Sequence, residues 1–518
     1  MQTVQKYIPF FLSALLMCTV VYFIYPHYQY YIDPDGTAYL TISRRYATGD
    51  YHKAINGYWS PWSCWLTALL IKTGLSAIPA SVIINTTGAI GFLYISESFF
   101  IRFGLERKSQ WLLCGSLSVF LCYAVFAQSF DDLWECFFLL SALRIMLSEK
   151  FTQRPGQWTA MGIIGTLAYF AKAYSFPFFI LNSVCCTYFL TKGDRKLWLK
   201  ISFTSVGIML LCALPWIWLL HDKYDIWTTS TAGTLNTSWY LVGHPHWKDG
   251  IELLLPPAYP DSPSYWEDPW SANGDMPHFW NSFHLLGLQV LRIGLNIWKF
   301  IVSSLQLSIF FVVITGYAKW KLFWKRDKPA ATEQRVLMLS FLLFPLGYVL
   351  VNFESRYLWY MVPLSMVLGA QLLQHSAINK RGQTAVLIVA LSFIIYPMYW
   401  LVKTADTGKN EYLWAQQLKK DNVTGAFTAI VKPGTATQNA VRLAYFSGMS
   451  FYTAPEGVKS KDALLKEIER YHIPYFFAYP VASSSRTDLI PLADEPGPPP
   501  PSIIDSSRNV KVIFIGNL

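Results

Sequence analysis

The sequence predicts an α-helical polytopic membrane protein with a C-terminal extracytoplasmic α/β domain. Three observations predict it. The 518 residues are 53% hydrophobic and only 14% charged, whereas soluble domains carry about 25% charged residues. Eleven apolar segments of roughly membrane length recur before residue 403. Beyond residue 402 the pattern changes to amphipathic helices alternating with short strand-like runs.

The candidate spans are 8–25, 79–101, 110–127, 133–148, 157–171, 176–191, 199–220, 300–318, 335–352, 358–375 and 384–402. The first, "YIPFFLSALLMCTVVYFIY", resembles a signal-peptide core. No small-residue cleavage site follows it, so it is read as a retained anchor. The basic residues then orient the chain. Lys6, Arg102 with Arg107 and Lys108, Lys150 with Arg154, Lys192 with Arg195, Lys196 and Lys200, "KWKLFWKRDK" (319–328), and Lys380 with Arg381 all fall on one side if the N-terminus is cytoplasmic. The predicted location is the inner (plasma) membrane, multi-pass, with the C-terminal domain outside. The net charge of +10 is dispersed between apolar runs, and no nucleic-acid-binding motif appears, so no nucleic-acid partner is expected.

The outer side therefore carries 26–78, "QSFDD" (128–132), "AKAYSFP" (171–177), a long loop over 221–299, "NFESRY" (352–357) and everything after 403. Residues 36–73 have apolar residues at helical spacing, interrupted by "GD" and "NGYWSP". They predict two short helices along the membrane interface, the depth that suits Trp59, Trp62 and Trp65. The 221–299 loop is rich in Pro, Trp and Tyr and is expected to be ordered by aromatic packing rather than regular structure. In 403–518, "EYLWAQQLKK" and "DALLKEIERY" predict helices; "AFTAIV", "YFFAYP" and "VKVIFIG" predict strands. "DEPGPPPPS" (494–502) is expected to be an exposed, extended loop. The domains are thus 1–402, transmembrane, with outer loops 26–78 and 221–299, and 403–518, α/β. None of the eight cysteines has metal-ligand spacing, and no nucleotide-binding motif occurs.

Residues suited to chemistry gather at the outer ends of spans. Asp33 and Asp35 lie in "DPDG", strong turn chemistry, but a rigid turn also positions a general base. Asp131 and Asp132 either cap a hairpin or orient a sugar hydroxyl; no His or Cys cluster supports a metal. Lys172 interrupts "AYFAKAYSFPFF" and either snorkels to the interface or pairs with a phosphate held there. Arg356 in "NFESRYLWYMVP" either pairs with Glu354 or grips a phosphate through two parallel hydrogen bonds. Tyr174, Tyr357 and Tyr360 are nearby hydroxyl donors. Acids, a lysine and an arginine on separate loops suit an anionic lipid headgroup and a hydroxyl acceptor.

With "DPDGTAYLTISRRYATGDYHKAINGYWSPW", "AYFAKAYSFPFF" and "ESRYLWYMVP" in this order, and "KYDIWTTSTAGTLN" and "YWEDPW" in the long loop, the chain resembles the GT-C integral-membrane glycosyltransferases. It is most similar to the bacterial branch related to protein O-mannosyltransferases and the lipid A aminoarabinose transferase. The resemblance covers nearly the whole chain. It implies an inverting hexosyl- or pentosyltransferase that takes sugar from a polyprenyl-phosphate donor to a hydroxyl-bearing envelope acceptor, with membrane lipid as its surroundings and no metal or other cofactor. By the same resemblance the catalytic acid maps to Asp35 or Asp33. Lys172 and Arg356, with Tyr174 and Tyr357, would hold the donor phosphate. Asp131, Asp132 and Glu354 would face the sugar or acceptor, and the C-terminal domain would help select the acceptor. The Asp-Pro-Asp pattern departs from the Asp-Glu pair of the protein mannosyltransferases. A polymerase or ligase using diphosphate-linked oligosaccharides, and a lipid-linked sugar flippase or transporter, are the alternatives.

Overall fold

The computed structural model describes residues 5–127, 131–242, 254–273, 276–324, 331–376, 380–430, 435–453, 461–478, 502–505 and 510–514. The apolar runs fold as helices because a chain without water must satisfy its backbone internally. In order these are α1 (Ile8–Tyr28), α2 (Pro34–Thr48), α3 (Trp62–Lys72), α4 (Ala77–Arg102), α5 (Arg107–Phe126), α6 (Asp132–Met146), α7 (Pro155–Ala171), α8 (Ser175–Leu190) and α9 (Arg195–Tyr224). Then follow α10 (Thr231–Val242), α11 (Phe283–Leu307), α12 (Ile309–Lys319), α13 (Thr332–Val351), α14 (Met361–Ser376) and α15 (Lys380–Thr404). Ten of the eleven apolar segments fall on one helix each, and the 300–318 segment is divided between α11 and α12. Among the described residues seven helices are long and apolar enough to cross a membrane. Others, such as α6 with 15 residues and α8 with 16, fall short of the ~20 a crossing needs.

Fully buried Phe92, Phe99, Phe120, Phe341 and Trp359 belong to one continuous core. Leu15, Phe203, Leu211 and Ile395 point outward, as expected of helices that face lipid. Two ends of the bundle differ in charge. At one, Arg107 donates to the main-chain oxygens of Gln5 and Lys6, and Arg102 pairs with Glu149 and Glu333. At the other lie residues 29–76, the α7–α8 turn, the tip 352–360 and the α/β domain.

At that second end, α2 and α3 are the two short helices expected between residues 36 and 73. α2 stops at Gly49, whose φ of +86° is a left-handed conformation that glycine adopts without steric cost. The long loop differs from expectation, because it holds two helices. α10 occupies 231–242, and α11 begins at Phe283. Gln289 Nε2, Asn296 Nδ2 and Lys299 Nζ of α11 reach Leu350 O, Val349 O and Asn352 Oδ1 at 2.6, 3.0 and 3.3 Å. Ten residues of helix, about 15 Å, thus cross the tip of one neighbour, α13. Phe283, Val290, Leu291 and Trp298 stay exposed on the other side. α11 therefore lies across the end of α13 over these residues as an amphipathic helix, with polar residues inward and apolar residues outward. After a break at Ser308, which caps α12 by accepting from Phe310 N–H, the path continues as the expected 300–318 segment.

The α/β domain comprises α16 (Lys409–Lys420), β1 (Ala426–Ile430), α17 (Thr435–Ser447), β2 (Ser450–Thr453), α18 (Lys461–Arg470), β3 (Tyr475–Ala478), β4 (Ser502–Asp505) and β5 (Val510–Phe514). The sheet order is β2-β1-β3-β5-β4, parallel except for β4, with Phe427 between Phe451 and Tyr475. α17, β2 and β4 were not expected. Of the "DEPGPPPPS" segment only Ser502 is within the described residues, as are only the two aspartates of "QSFDD". The domain docks firmly: Arg442 Nε donates to Ile32 O at 2.7 Å, and Ile32 and Leu40 pack in one cluster with Leu443, Tyr445 and Phe446.

Candidate active site

A cavity of about 530 Å³ lies where these parts meet. Its walls come from the α1–α2 connection (Tyr31, Asp33, Asp35), the long loop (Ser264, Tyr265, Trp266), the tip before α14 (Glu354, Ser355, Arg356, Trp359) and the α/β domain.

Asp33 and Asp35 share a turn but not a role. Asp33 is the N-cap of α2: its Oδ1 accepts the Gly36 N–H at 2.7 Å, satisfying one of the free amides at a helix start. Burial first, then the neighbouring Asp35 charge, pushes its carboxyl well above the usual range, against the pull of the Gly36 N–H, Arg356 and Arg442. Asp35 sits inside the first turn, with its carboxylate directed at the cavity. Oδ1 accepts the Trp266 Nε1–H at 3.0 Å, and Oδ2 pairs with Arg356 Nη2 at 3.1 Å. The proline between them fixes the start of the helix, which separates the two side chains.

Arg356 is the hub. Besides Asp35 it has Nε 2.9 Å from Glu354 Oε2, close as an ion pair but misaligned for a hydrogen bond, and Nη1 3.9 Å from Asp132 Oδ2. Burial opposes its charge, but Glu354, Tyr357, Asp132 and Asp35 more than offset this and hold its pKa above the ordinary arginine value.

Lys172 is not on the cavity wall. It pairs with Asp132, lies 3.9 Å from Glu135 Oε2, and its ammonium sits 4.5 Å from the Tyr357 ring centre. Asp132 and Glu135 are one helical turn apart on α6, both buried, so the lysine compensates two buried acids. Asp131, Tyr174, Tyr357 and Tyr360 also make contacts within the protein. Asp131 accepts from the Ser63 hydroxyl and backbone N–H; burial pushes its carboxyl up to about 8. Tyr174 donates its hydroxyl to Phe344 O at 2.5 Å, and its ring centre lies 3.8 Å from that of Tyr348. Tyr357 is held in the same stack, 3.8 Å from Tyr348. Tyr360 is buried, sharing a hydrogen bond with Ser340.

Sequence reasoning missed several members. Trp266 was quoted within "YWEDPW" but given no role. Its segment is locked onto α2 and α9 by charge. Arg45 pairs with Glu267, which is fully enclosed, and with Asp261 at 3.0 Å; Lys223 pairs with Asp268 at 2.9 Å; Asn56 donates to Glu267 O at 2.7 Å. Arg45 in turn holds the exposed Asp261 carboxyl down to about 2. Glu135 is the other omission. An acid inside "LWECFF", three residues after Asp132, was the available signal. An aromatic wall completes the cavity: Tyr123 meets Trp400 at 5.0 Å and Tyr396 at 5.8 Å in edge-to-face contacts, and the buried Trp359 indole N–H has no partner among the described residues. A second groove, about 420 Å³, runs between α11 and the tip. Glu354 and Ser355 line both it and the main cavity; Trp298, Lys299 and Val302 form its other side.

No family model matches the chain, and no curated protein sequence matches it. Among solved structures it is similar to an Archaeoglobus fulgidus oligosaccharyltransferase, solved with zinc and sulfate (TM-score 0.48, 13% identity, 86% of this chain and 62% of that one). It is also similar to Cupriavidus metallidurans ArnT, bound to undecaprenyl phosphate (TM-score 0.42, 14% identity, 88% and 87% covered) and in its apo state (TM-score 0.43, 14% identity, 91% and 89% covered). Both are glycosyltransferases of the GT-C class. The chain spans less than two thirds of the oligosaccharyltransferase's length.

Proposed function

We propose that this protein is an inverting glycosyltransferase that moves a sugar from a polyprenyl-phosphate carrier to an acceptor hydroxyl on the extracytoplasmic side. One observation carries the reading: Asp35, a carboxylate on a cavity wall, is aimed by an indole N–H and paired with an arginine that can also serve a phosphate. In this reading Asp35 takes the acceptor's proton as its oxygen attacks the anomeric carbon. The bond from that carbon to the phosphate oxygen breaks, and polyprenyl phosphate leaves. A protonated Asp35 no longer holds Arg356, so the guanidinium is released to the phosphate as charge develops there. The α11 groove, open beside Glu354 and Ser355, suits the carrier's lipid end. Lys172 acts through Asp132 as a positioning residue, and Asp33 caps α2.

The test is polyprenyl phosphate release in proteoliposomes supplied with polyprenyl-phosphate sugars and envelope extract. Asp35→Asn is expected to abolish release. Asp33→Asn, which keeps an oxygen for the cap, is expected to retain it. Release unaffected by Asp35→Asn, with the variant folded, refutes the assignment. If wild type releases nothing from any monophosphate donor, the reaction class is wrong.

A further inference from the structure

α11 carries one polar stripe along its length. Gln289, Arg292, Asn296, Lys299, Ser303 and Gln306 are spaced three and four residues apart, so they share a face. The first three bond to the protein: Gln289 and Asn296 to the last carbonyls of α13, Arg292 to Tyr240 O near the end of α10. The last three line the 420 Å³ groove, where Trp298, Val302 and Phe353 add apolar surface. A cation on a helix that is otherwise apolar toward lipid is expensive and marks a site. Here it is Lys299. The residue is exposed, and its ammonium donates to a neutral group, Asn352 Oδ1, at 3.3 Å; among the described residues it pairs with no carboxylate. Arg356 differs, since Asp35 and Glu354 both engage it. The two cations are joined through the tip: the buried Asn352 gives an Nδ2–H to Glu354 Oε1 at 3.2 Å, and Glu354 Oε2 lies 2.9 Å from Arg356 Nε. Cavity and groove thus meet at Glu354 and Ser355, which line both.

The charges of the reaction decide which phosphate uses which cation. The donor is a phosphodiester with a single negative charge. When its bond to the anomeric carbon breaks, the electron pair stays on the phosphate oxygen, and the acceptor's proton goes to Asp35. The product is a monoester of charge about −1.5 to −2 near pH 7. To reset, Asp35 gives its proton to water and takes Arg356 back, which leaves this product among four carboxylates. Resting on the reaction proposed above, we propose that the groove at Lys299 is a second phosphate site, which receives the polyprenyl phosphate product and prefers a phosphate monoester to a diester. The lipid tail stays in the groove and only the headgroup moves. Arg356 serves the reacting phosphate, Lys299 the departing one.

The experiment measures equilibrium binding of radiolabelled short-chain polyprenyl phosphate, and of its methyl ester, to the full chain in phosphatidylcholine nanodiscs. The two probes share a tail and differ in charge, and wild type is expected to hold the monoester more tightly. Lys299→Met keeps the apolar stem and removes the charge. The lost charge-assisted hydrogen bond predicts roughly tenfold weaker monoester binding, with methyl-ester binding unchanged. Lys299→Arg restores the preference, which guards against misfolding as the cause. In proteoliposomes, added polyprenyl phosphate should inhibit sugar transfer to envelope extract. Lys299→Met should need roughly tenfold more of it, with the half-saturating donor level unchanged. Equal loss for both probes, or no loss for either, overturns the site. Displacement of the monoester by an equal concentration of phosphatidylglycerol assigns the groove to bulk phospholipid and overturns the product role. A raised half-saturating donor level puts Lys299 on the reacting phosphate and overturns the division between the two cations. No transfer by wild type, with Lys299-dependent binding intact, overturns the reaction and the product role while the monoester site stands.

Discussion

Glu267→Gln tests whether charge holds the long loop over the cavity. The Glu267 side chain is 1% exposed and that of Arg45 6%, and they pair directly, with a second contact of 3.2 Å from Nη2 to Oε2. Removing one partner of a buried pair costs about 3–5 kcal/mol, because the remaining charge stays buried. Arg45 keeps Asp261 and Asp50, both partly exposed, so the low end, about 3 kcal/mol, applies. If that energy opposes local opening, amides of 262–268 should exchange about 100-fold faster. Hydrogen exchange read by mass spectrometry resolves this, with the α5 amides as internal reference. Replacing both partners by apolar residues, Arg45→Met with Glu267→Leu, should return protection close to wild type, since no charge is stranded. Exchange of 262–268 within threefold of wild type in Glu267→Gln refutes the argument. The loop would then be held by its aromatic contacts and by the Phe451 N–H bond to Pro263 O.

Three further outcomes follow from the site. Trp266→Phe keeps the ring but removes the N–H on Asp35; a hydrogen bond to a charged group is worth about 1.5–3 kcal/mol, so kcat for release should fall roughly 10- to 100-fold, and an unchanged kcat would remove Trp266 from the machinery. Lys172→Met strands Asp132 and Glu135, so its melting temperature in detergent should drop, with recovery when Asp132→Leu is added; full stability with a raised donor KM would instead place Lys172 on the phosphate. Asp131 has a folded pKa of about 8, above its ordinary value of 3.8, so the stability it gives the folded state is complete below pH 3.8 and is lost as pH rises toward 8. Asp131→Asn cannot ionise, so it should melt progressively higher than wild type between pH 4 and 8; parallel melting curves across that window would refute the shift.

The helices were legible because lipid imposes one rule on every span, apolar side chains for about 20 residues, and basic residues mark one end. The transverse part of α11 escaped because its apolar side faces out while Gln289 and Asn296 face in. Read as a loop, "FHLLGLQVLRIGLNIW" merges with the aromatic stretch before it. In the site, Asp35 and Arg356 were legible as chemistry, but not as partners. They are 321 positions apart, and no local pattern encodes that meeting. Lys172 was legible as an anomaly in an apolar run, and the explanation lay in two acids one turn apart on α6, Asp132, which it pairs with, and Glu135 beside it. The lysine at the end of α7 and the buried acids of α6 account for one another before any ligand is invoked.

That pairing changes how an anionic donor is received. Around Arg356 and Lys172 stand four carboxylates, Asp35, Asp132, Glu135 and Glu354. A phosphate entering this cluster adds negative charge where acids already outnumber bases, and Arg356 is already hydrogen-bonded to Asp35 and close to Glu354. Something must relax the competition. The acceptor's proton can do so: once it is on Asp35, the carboxylate that Arg356 Nη2 hydrogen-bonds becomes neutral, Glu354 alone remains close, and the guanidinium can turn to the leaving phosphate. The same transfer that activates the nucleophile then stabilises the leaving group. A donor bound without an acceptor leaves Asp35 charged and Arg356 occupied, so spontaneous hydrolysis of the carrier is disfavoured until the acceptor is seated.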